Sequence, residues 1–326
     1  MSGLPQKAIE NSYKLREVFL NQCQDYQTDC YRLFNGQGEG IPGFIVERYG
    51  TVLIFQFHVG KCHLDLSQMQ AIADWYVKTL GIKSVYLKRF VSDRSGSQAD
   101  EDYYNSTPFW GEQSADVLLC KENGLVLEIH PYEGFSTGLF LDQRNNRRFL
   151  RNMSSGLNVL NCFSYTCAFS VACALNSGET TSVDLSRRYL NWGKRNFEHN
   201  QLKPELHQFY VIDVFEQFQK AKKLGKEYDM IILDPPSFSR NPQGGVFSVK
   251  RDMKELVSQA VGVLSPRGTL FVSTNLAQYH SDGLESEIID VLKQKKRNGK
   301  KLALPEVPFD FSTHQNPLAA SCFKVD

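Results

Sequence analysis

The chain has 326 residues, 41% of them hydrophobic and 22% charged, so it is long enough for two domains and has the composition of an ordinary globular protein. Its 37 basic and 36 acidic residues leave a formal net charge of +1, so overall charge predicts binding neither to nucleic acid nor to membranes, and any basic site must be local. The first residues lack the apolar core of a signal peptide, and no later stretch of about 18 apolar residues could span a bilayer, so we expect a cytoplasmic protein without a membrane partner.

The eight cysteines form no C-x-x-C pair and are too sparse for a disulfide framework. We therefore expect reduced and mostly buried thiols. The sequence predicts no metal site.

The first part of the chain, residues 1–130, has the pattern of a helix followed by a small α+β domain. Apolar residues at helical spacing predict an N-terminal helix, and a glycine-dense turn at 35–43 leads into alternating strands. A polar stretch at 92–108 is expected to form a loop. The predicted helices are 6–24 and 68–80, and the predicted strands are 44–49, 52–57, 84–89 and 125–131.

The second part, residues 131–326, alternates between strands and helices. This rhythm predicts a parallel sheet covered on both faces, with its ligand site at the carboxyl ends of the strands. The predicted strands are 157–161, 180–184, 208–213, 229–234 and 268–274, and the predicted helices are 168–176, 186–200, 214–224, 251–264 and 282–296.

Three of these strands end in an acid: Asp184, Asp213 and Asp234. One such acid is as often a helix cap as a ligand, but three in successive units beside a turn of small residues at 161–170 favour a binding site. Asp184 follows that turn at about the spacing at which an acid binds ribose hydroxyls. Neither G-x-G-x-x-G nor G-x-x-x-x-G-K-[ST] is present, so the ligand should be a nucleoside without a pyrophosphate, such as S-adenosylmethionine.

The motif "LDPPSF" (233–238) ends the fourth of these strands. Asp234 and Pro235 each precede a proline, so the chain should leave the sheet stiff and extended. Its carbonyls could accept hydrogen bonds from a base, and Phe238 could stack on that base once it is extruded. The alternative is an ordinary proline turn with Phe238 in the core.

These motifs resemble the bacterial class I methyltransferases of 23S ribosomal RNA, of the RlmI and RlmKL types. The resemblance implies an α/β fold: a Rossmann-like methyltransferase domain with a mostly parallel seven-stranded sheet, preceded by the small α+β domain. It also implies S-adenosylmethionine as cofactor and ribosomal RNA as partner. The matching stretches occur in the family's order at 29–50, 136–150, 159–175, 180–200, 233–239 and 249–275.

The resemblance also implies roles for individual residues. The turn from Asn161 to Thr166 should hold the methionine end of the cofactor, Asp184 the ribose and Asp213 the adenine amino group, while Arg144 positions cofactor or RNA, or forms an ion pair. The implied cofactor-binding residues are Arg144, Asn161, Phe163, Ser164, Tyr165, Thr166, Asp184, Leu185, Asp213, Val214 and Asp234. The implied catalytic residues are Asp234, Pro235 and Phe238.

The chain departs from the family pattern in two places. Cys167 stands where the family usually has glycine. The cytosine-C5 members carry a nucleophilic cysteine after the fifth strand, whereas 273–279 and 233–239 contain none, so the chain is similar to the guanine-N7 branch of the RlmK type. Methylation at another position, cytosine C5 included, and a cofactor-binding RNA module without activity remain the alternatives. Basic stretches at 144–151, 187–195 and 293–301 are candidate RNA contacts, the last also readable as a solvated helix end.

Overall fold

The computed structural model describes residues 3–91, 104–240, 245–276, 279–313 and 318–326. Most of the predicted polar loop, residues 92–103, lies outside the described residues. The chain forms two compact units: Met1–Asp142 with Pro308–Gln315, and Gln143–Val307 with Asn316–Asp326.

The first unit contains a five-stranded sheet in the order β1-β2-β3-β4-β5. Only β3 and β4 are parallel, because helix α2 connects them, and the other neighbours are antiparallel. A separate hairpin, β6–β7, follows the sheet along the chain. The elements are α1 (Gly3–Asp25), β1 (Cys30–Asn35), β2 (Phe44–Tyr49), β3 (Val52–His58), α2 (Leu66–Leu80), β4 (Ser84–Phe90), β5 (Trp110–Gly111), β6 (Leu118–Glu122) and β7 (Leu125–Ile129).

Two further segments belong to this unit by their contacts. Lys88 Nζ donates to Gly134 O at 2.9 Å, and Thr137 Oγ1 donates to Tyr49 OH at 2.9 Å, which ties residues 131–142 to the sheet. Residues 308–315 join it as well, since the backbone N–H of Arg32 donates to the Asp310 carboxylate at 2.8 Å. The expected division near residue 130 differs from the contact pattern by these two segments.

The second unit is built on a seven-stranded sheet in the order β10-β9-β8-β11-β14-β16-β15. The first five strands are parallel, whereas β16 and β15 are antiparallel to their neighbours, so the predicted mostly parallel sheet is confirmed. The strands are β8 (Asn158–Cys162), β9 (Glu179–Asp184), β10 (Gln208–Val211), β11 (Tyr228–Leu233), β14 (Leu264–Thr274), β15 (Gly299–Lys301) and β16 (Ala319–Val325), and a hairpin of β12 (Phe238–Arg240) and β13 (Val246–Ser248) follows β11.

Helices cover this sheet, as the alternating pattern predicted. They are α3 (Arg144–Met153), α4 (Ala168–Ala174), α5 (Arg187–His199), α6 (Val214–Lys223), α7 (Val249–Val261) and α8 (Ser281–Gln294). The run Met230–Leu233 is fully buried, which explains its uninterrupted apolar sequence. The order of the strands reverses at the neighbours β8 and β11, where α/β sheets of this kind bind ligands.

Candidate active site

The turn between β8 and α4 has an unusual backbone. Phe163, Tyr165 and Cys167 have φ values of 56°, 48° and 62°, in the left-handed region that glycine favours. Each such residue costs about 1–2 kcal/mol, so the surrounding structure must hold the turn in place. Strain of this kind is concentrated at ligand sites, and the turn lies at the switch point of the sheet.

Asp184, at the end of β9, holds this turn. Its carboxylate accepts hydrogen bonds from the backbone N–H of Tyr165 at 2.9 Å and of Ser186 at 2.8 Å. Burial raises the pKa of Asp184, and these backbone donors act in the opposite direction. Ser186, and not Asp184, is the N-cap of α5, so the interpretation of Asp184 as a simple helix cap is wrong.

Asp213 is partly structural. It is the N-cap of α6, and its Oδ1 accepts from the backbone N–H of Phe215 at 2.8 Å. The side chain of the next residue, Val214, is buried in the core, so only its backbone could face a ligand. Leu185, beside Asp184, is half-buried.

Asp234 follows β11 and belongs to a polar cluster that the sequence did not indicate. Its Oδ1 accepts from Gln143 Nε2 at 3.0 Å and from Ser273 Oγ at 2.7 Å, and Gln143 Nε2 also lies 3.0 Å from Ser273 Oγ. Asn146 of α3 donates to Gln143 Oε1 at 2.8 Å, which fixes the orientation of that amide. The cluster therefore holds the Asp234 carboxylate in one position.

The segment after Asp234 leaves the sheet as predicted, but its residues differ in exposure. Pro235 is buried, whereas Phe238 is 52% exposed. The guanidinium carbon of Arg240 lies over the Phe238 ring, 5.7 Å from its centroid. The interpretation of Phe238 as a core residue is therefore wrong. Ser237 Oγ donates to Asn275 Oδ1 at 2.9 Å and joins this segment to the end of β14.

Of the other predicted site residues, Asn161 lies in β8, Ser164 and Thr166 lie in the turn, and Arg144 lies in α3. Asn161 is buried, and its amide donates to Ser170 Oγ at 2.9 Å, so it joins β8 to α4 from below. Ser164 and Thr166 are also buried, and the carbonyl of Thr166 accepts from Asn196 Nδ2 at 2.9 Å. Arg144, the first residue of α3, is buried too, so it is unlike a solvent-facing phosphate contact.

All eight cysteines are free and buried, as predicted. Cys162, the thiol nearest to the site in sequence, is fully buried at the end of β8, and burial raises its pKa well above the usual value. Burial likewise raises the pKa of Cys167 to about 12. These thiols are therefore protonated at neutral pH, and a thiol in this form is a poor nucleophile.

Membrane-spanning helices and metal-binding clusters are both absent from the described part of the chain. Among its helices, none is long and apolar enough to cross a membrane. Its His, Cys, Asp and Glu residues form no group of three or more that could hold a metal ion.

The chain has relatives among known proteins. Residues 103–296 match a family described as S-adenosylmethionine-dependent methyltransferase. A Bacillus subtilis relative, described as a candidate ribosomal RNA large subunit methyltransferase (YwbD), is 34% identical over 297 residues, 90% of this chain and 72% of that protein. Ribosomal RNA large subunit methyltransferase K of Neisseria meningitidis serogroup B is 38% identical over 215 residues, 65% of this chain but only 58% of that one.

A solved structure is similar over almost the whole chain. SMU.776, described as a candidate methyltransferase and crystallised with SAH, superimposes with a TM-score of 0.79 at 30% identity. The match covers 97% of this chain and 81% of that one.

Proposed function

Because this chain belongs to the S-adenosylmethionine-dependent methyltransferase family, we propose that it methylates a ring nitrogen, such as guanine N7, in large-subunit ribosomal RNA. The RNA substrate is carried over from the names of the 34% and 38% identical relatives. An enzyme with this substrate would work in the cytoplasm.

The residues at the carboxyl ends of the strands fit the cofactor. A carboxylate has about four lone-pair sites, and Asp184 uses two of them for backbone N–H groups. It can therefore accept hydrogen bonds from the ribose hydroxyls, and Asp213 can accept from the adenine amino group while it caps α6. The strained turn Phe163–Cys167 would hold the methionine end with its backbone.

Catalysis in this proposal depends on alignment. The cofactor supplies a methyl group already activated by its sulfonium, and guanine N7 has a free lone pair, so no general base is required. Asp234, held by Gln143 and Ser273, would accept a hydrogen bond from the base and orient it. The exposed ring of Phe238 would stack on the same base. Precise alignment can contribute several kcal/mol to catalysis.

The burial of the thiols is the observation that favours a ring nitrogen over cytosine C5 as the methylated atom. Cytosine C5 becomes nucleophilic only after a thiolate adds to C6, and this chemistry needs an accessible, ionised cysteine. Every cysteine of this chain is buried, and Cys162 is packed in the core of the sheet. Methylation of cytosine C5 would therefore require a nucleophile that this site does not offer among its described residues.

Local charge supports an RNA substrate even though the net charge is close to zero. Helix α5 exposes four cations: Arg187, Arg188, Lys194 and Arg195. The basic stretch at 144–151 is different, because Arg148 is the one of its four arginines that is exposed, and Arg144 and Arg147 are buried. We therefore assign phosphate contacts to α5 rather than to α3.

Methyl transfer to defined RNA tests this proposal. The protein is incubated with methyl-labelled S-adenosylmethionine and a 23S ribosomal RNA transcript, and the labelled nucleoside is identified after digestion. We expect 7-methylguanosine with the wild type and with Cys162→Ala, and none with Asp234→Ala. Labelled 5-methylcytidine, or a covalent adduct with 5-fluorocytidine RNA, would contradict it.

A further inference from the structure

The sheet of the first unit has two unlike faces. Side chains alternate along each strand, and one face, which includes Leu53 and Phe55, packs against α1 and α2 in a hydrophobic core. On the other face polar residues are paired in register: Arg32 of β1 lies opposite Glu47 of β2, and Gln56 of β3 lies opposite Lys88 of β4. A largely antiparallel sheet that needed only stability could leave such a face to solvent.

This polar face is instead the floor of a cavity of about 390 Å³. Strands β1–β4 and the segment 135–142 line it, together with Phe311, and all of these residues belong to the first unit. The volume is within the range of pockets that bind small ligands.

Charge in this cavity favours an anion. Lys88 is only 2% exposed, and its Nζ donates to Gly134 O at 2.9 Å. Burial lowers the pKa of Lys88 to about 8, with a smaller opposite effect from Glu47. Burying an ammonium group is costly, so a cation at this position is better explained by a ligand than by packing. The lining cations Arg32, Lys61 and Lys88 outnumber the acids Glu47 and Asp142.

Arg32 has donor capacity left for such a ligand. Its Nη2 pairs with Glu47 Oε1 at 2.7 Å, and its guanidinium lies over the ring of Phe311 at 4.1 Å. Its buried Nε has no hydrogen-bond partner within the described part of the chain. A buried donor without a partner costs about 1–3 kcal/mol, which a bound acceptor would offset.

Flat rings complete the lining. The rings of His58 and Phe90 are stacked, with centroids 4.9 Å apart, and Phe135 meets Phe90 edge-on at 4.8 Å. Phe135 is 42% exposed, so its ring remains partly accessible from solvent. Gln56 lies on the floor of the cavity, and its Nε2 donates to Glu47 Oε2 at 3.0 Å. Its side-chain amide is suited to hydrogen bonding with the edge of a base.

From this combination of cations, stacking rings and amide groups, we propose that the cavity of the first unit binds one unstacked nucleotide of the RNA, with the base against Phe135 and the phosphate near Lys88. This inference rests on the proposed function and adds a second point of RNA recognition to it. Single-stranded RNA is recognised elsewhere by the same elements, aromatic platforms beside basic groups on a sheet.

The test compares variants of the full-length protein, with S-adenosylhomocysteine present, for binding to an unmethylated 23S ribosomal RNA transcript. Phe135→Ala should raise the Kd about fivefold or more, because stacking on one base is lost, whereas Phe135→Trp should stay within about twofold. Lys88→Met should raise the Kd. It should also lower the slope of log Kd against log salt by about one, the value expected for the loss of one phosphate contact. The matched control is Tyr26→Ala, which removes a similarly exposed ring outside the cavity and should leave the Kd unchanged.

Each other outcome identifies which proposal fails. Wild-type protein that neither binds nor methylates RNA would overturn the proposed function and this inference together. Wild-type protein that methylates RNA, with Phe135→Ala and Lys88→Met binding RNA as tightly as it does, would overturn the nucleotide site alone. Binding of free nucleoside monophosphates in the cavity, without any effect of these variants on RNA affinity, would also overturn it. Unchanged cofactor affinity in every variant, measured by calorimetry, confirms that the second unit is intact.

Discussion

The sulfur of Cys167 fills the space that a side chain at position 193 would need. A Cβ added to Gly193 of α5 would lie 2.4 Å from Cys167 Sγ and 2.9 Å from Cys167 Cβ. Cys167 precedes α4 in a left-handed conformation, with φ of 62°, and is fully buried. The thiol is thus packed against α5, and its presence in place of glycine is matched by a glycine in the neighbouring helix.

This pairing predicts a change of sign in a double-mutant cycle. Gly193→Ala alone should destabilise the protein by about 1–3 kcal/mol, because the methyl group overpacks against the sulfur. In a Cys167→Gly background the same change should be neutral or stabilising, by up to about 1 kcal/mol, because alanine favours the helix. Denaturant unfolding of the four proteins measures both effects. Equal destabilisation in both backgrounds would show that the two residues are not coupled.

Cys167→Gly should also keep S-adenosylmethionine affinity within about threefold, since the sulfur of Cys167 packs against the helix.

The strand-end acid Asp184 should contribute to the affinity for the cofactor and not only to folding. Asp184→Ala should weaken S-adenosylmethionine binding by about 1–3 kcal/mol, because the ribose hydroxyls and the turn lose a charged acceptor. Asp229→Ala is a matched control, because Asp229 accepts from the backbone N–H of Asn158 at 2.9 Å at the opposite end of the strands. Calorimetry should show a loss of affinity only for Asp184→Ala. Equal affinities would remove Asp184 from the site.

The sequence predicted elements better than contacts. The sequence predicts a strand at 229–234, and β11 spans Tyr228–Leu233, because an apolar run buried on both faces has an unambiguous pattern. The sequence also predicts that the acids at the strand ends lie near one another, because the termini of parallel strands share one edge of the sheet.

The contacts that complete the site could not be predicted in this way. Gln143 and Ser273 are 130 residues apart, and both are uncharged, so no local pattern connects them to Asp234. The polar residue directly before Arg144 in "LDQR" was the available signal for Gln143. Likewise, nothing in the local sequence of 308–315 indicates that Asp310 bonds to Arg32 in the first unit. Periodicity shows which face of an element is buried but not what covers it.

Ser273 should act by positioning Asp234. Ser273→Ala removes a 2.7 Å hydrogen bond to Asp234 and should lower kcat about tenfold, with the KM for S-adenosylmethionine nearly unchanged. Ser321→Ala is the matched control on the adjacent strand β16, since Ser321 is buried and its hydroxyl has no partner among the residues described. That variant should keep full activity and equal or higher stability. A fall in activity only in proportion to lost stability would contradict a positioning role for Ser273.

Phe238 should contribute to binding of the target base and not to the stability of the fold. Because the ring of Phe238 is half exposed, Phe238→Ala should leave the melting temperature and the cofactor affinity unchanged. The same change should lower kcat/KM for RNA, which corresponds to an activation free energy higher by about 1–3 kcal/mol. Phe238→Trp should retain most of the activity, since any aromatic face can stack. Thermal unfolding, calorimetry and methyl-transfer rates are measured on the same preparations. Activity that falls only in step with the melting temperature would refute the stacking role.

The identity of the methylated nucleoside in cells tests the central claim most directly. Ribosomal RNA from a strain lacking the gene is digested and compared by mass spectrometry with RNA from the same strain restored with the wild type or with Asp234→Ala. We predict that 7-methylguanosine at one site of the large-subunit RNA disappears on deletion and returns only with the wild type. A 5-methylcytidine that follows the same pattern, or large-subunit RNA whose modifications do not change, would contradict the account.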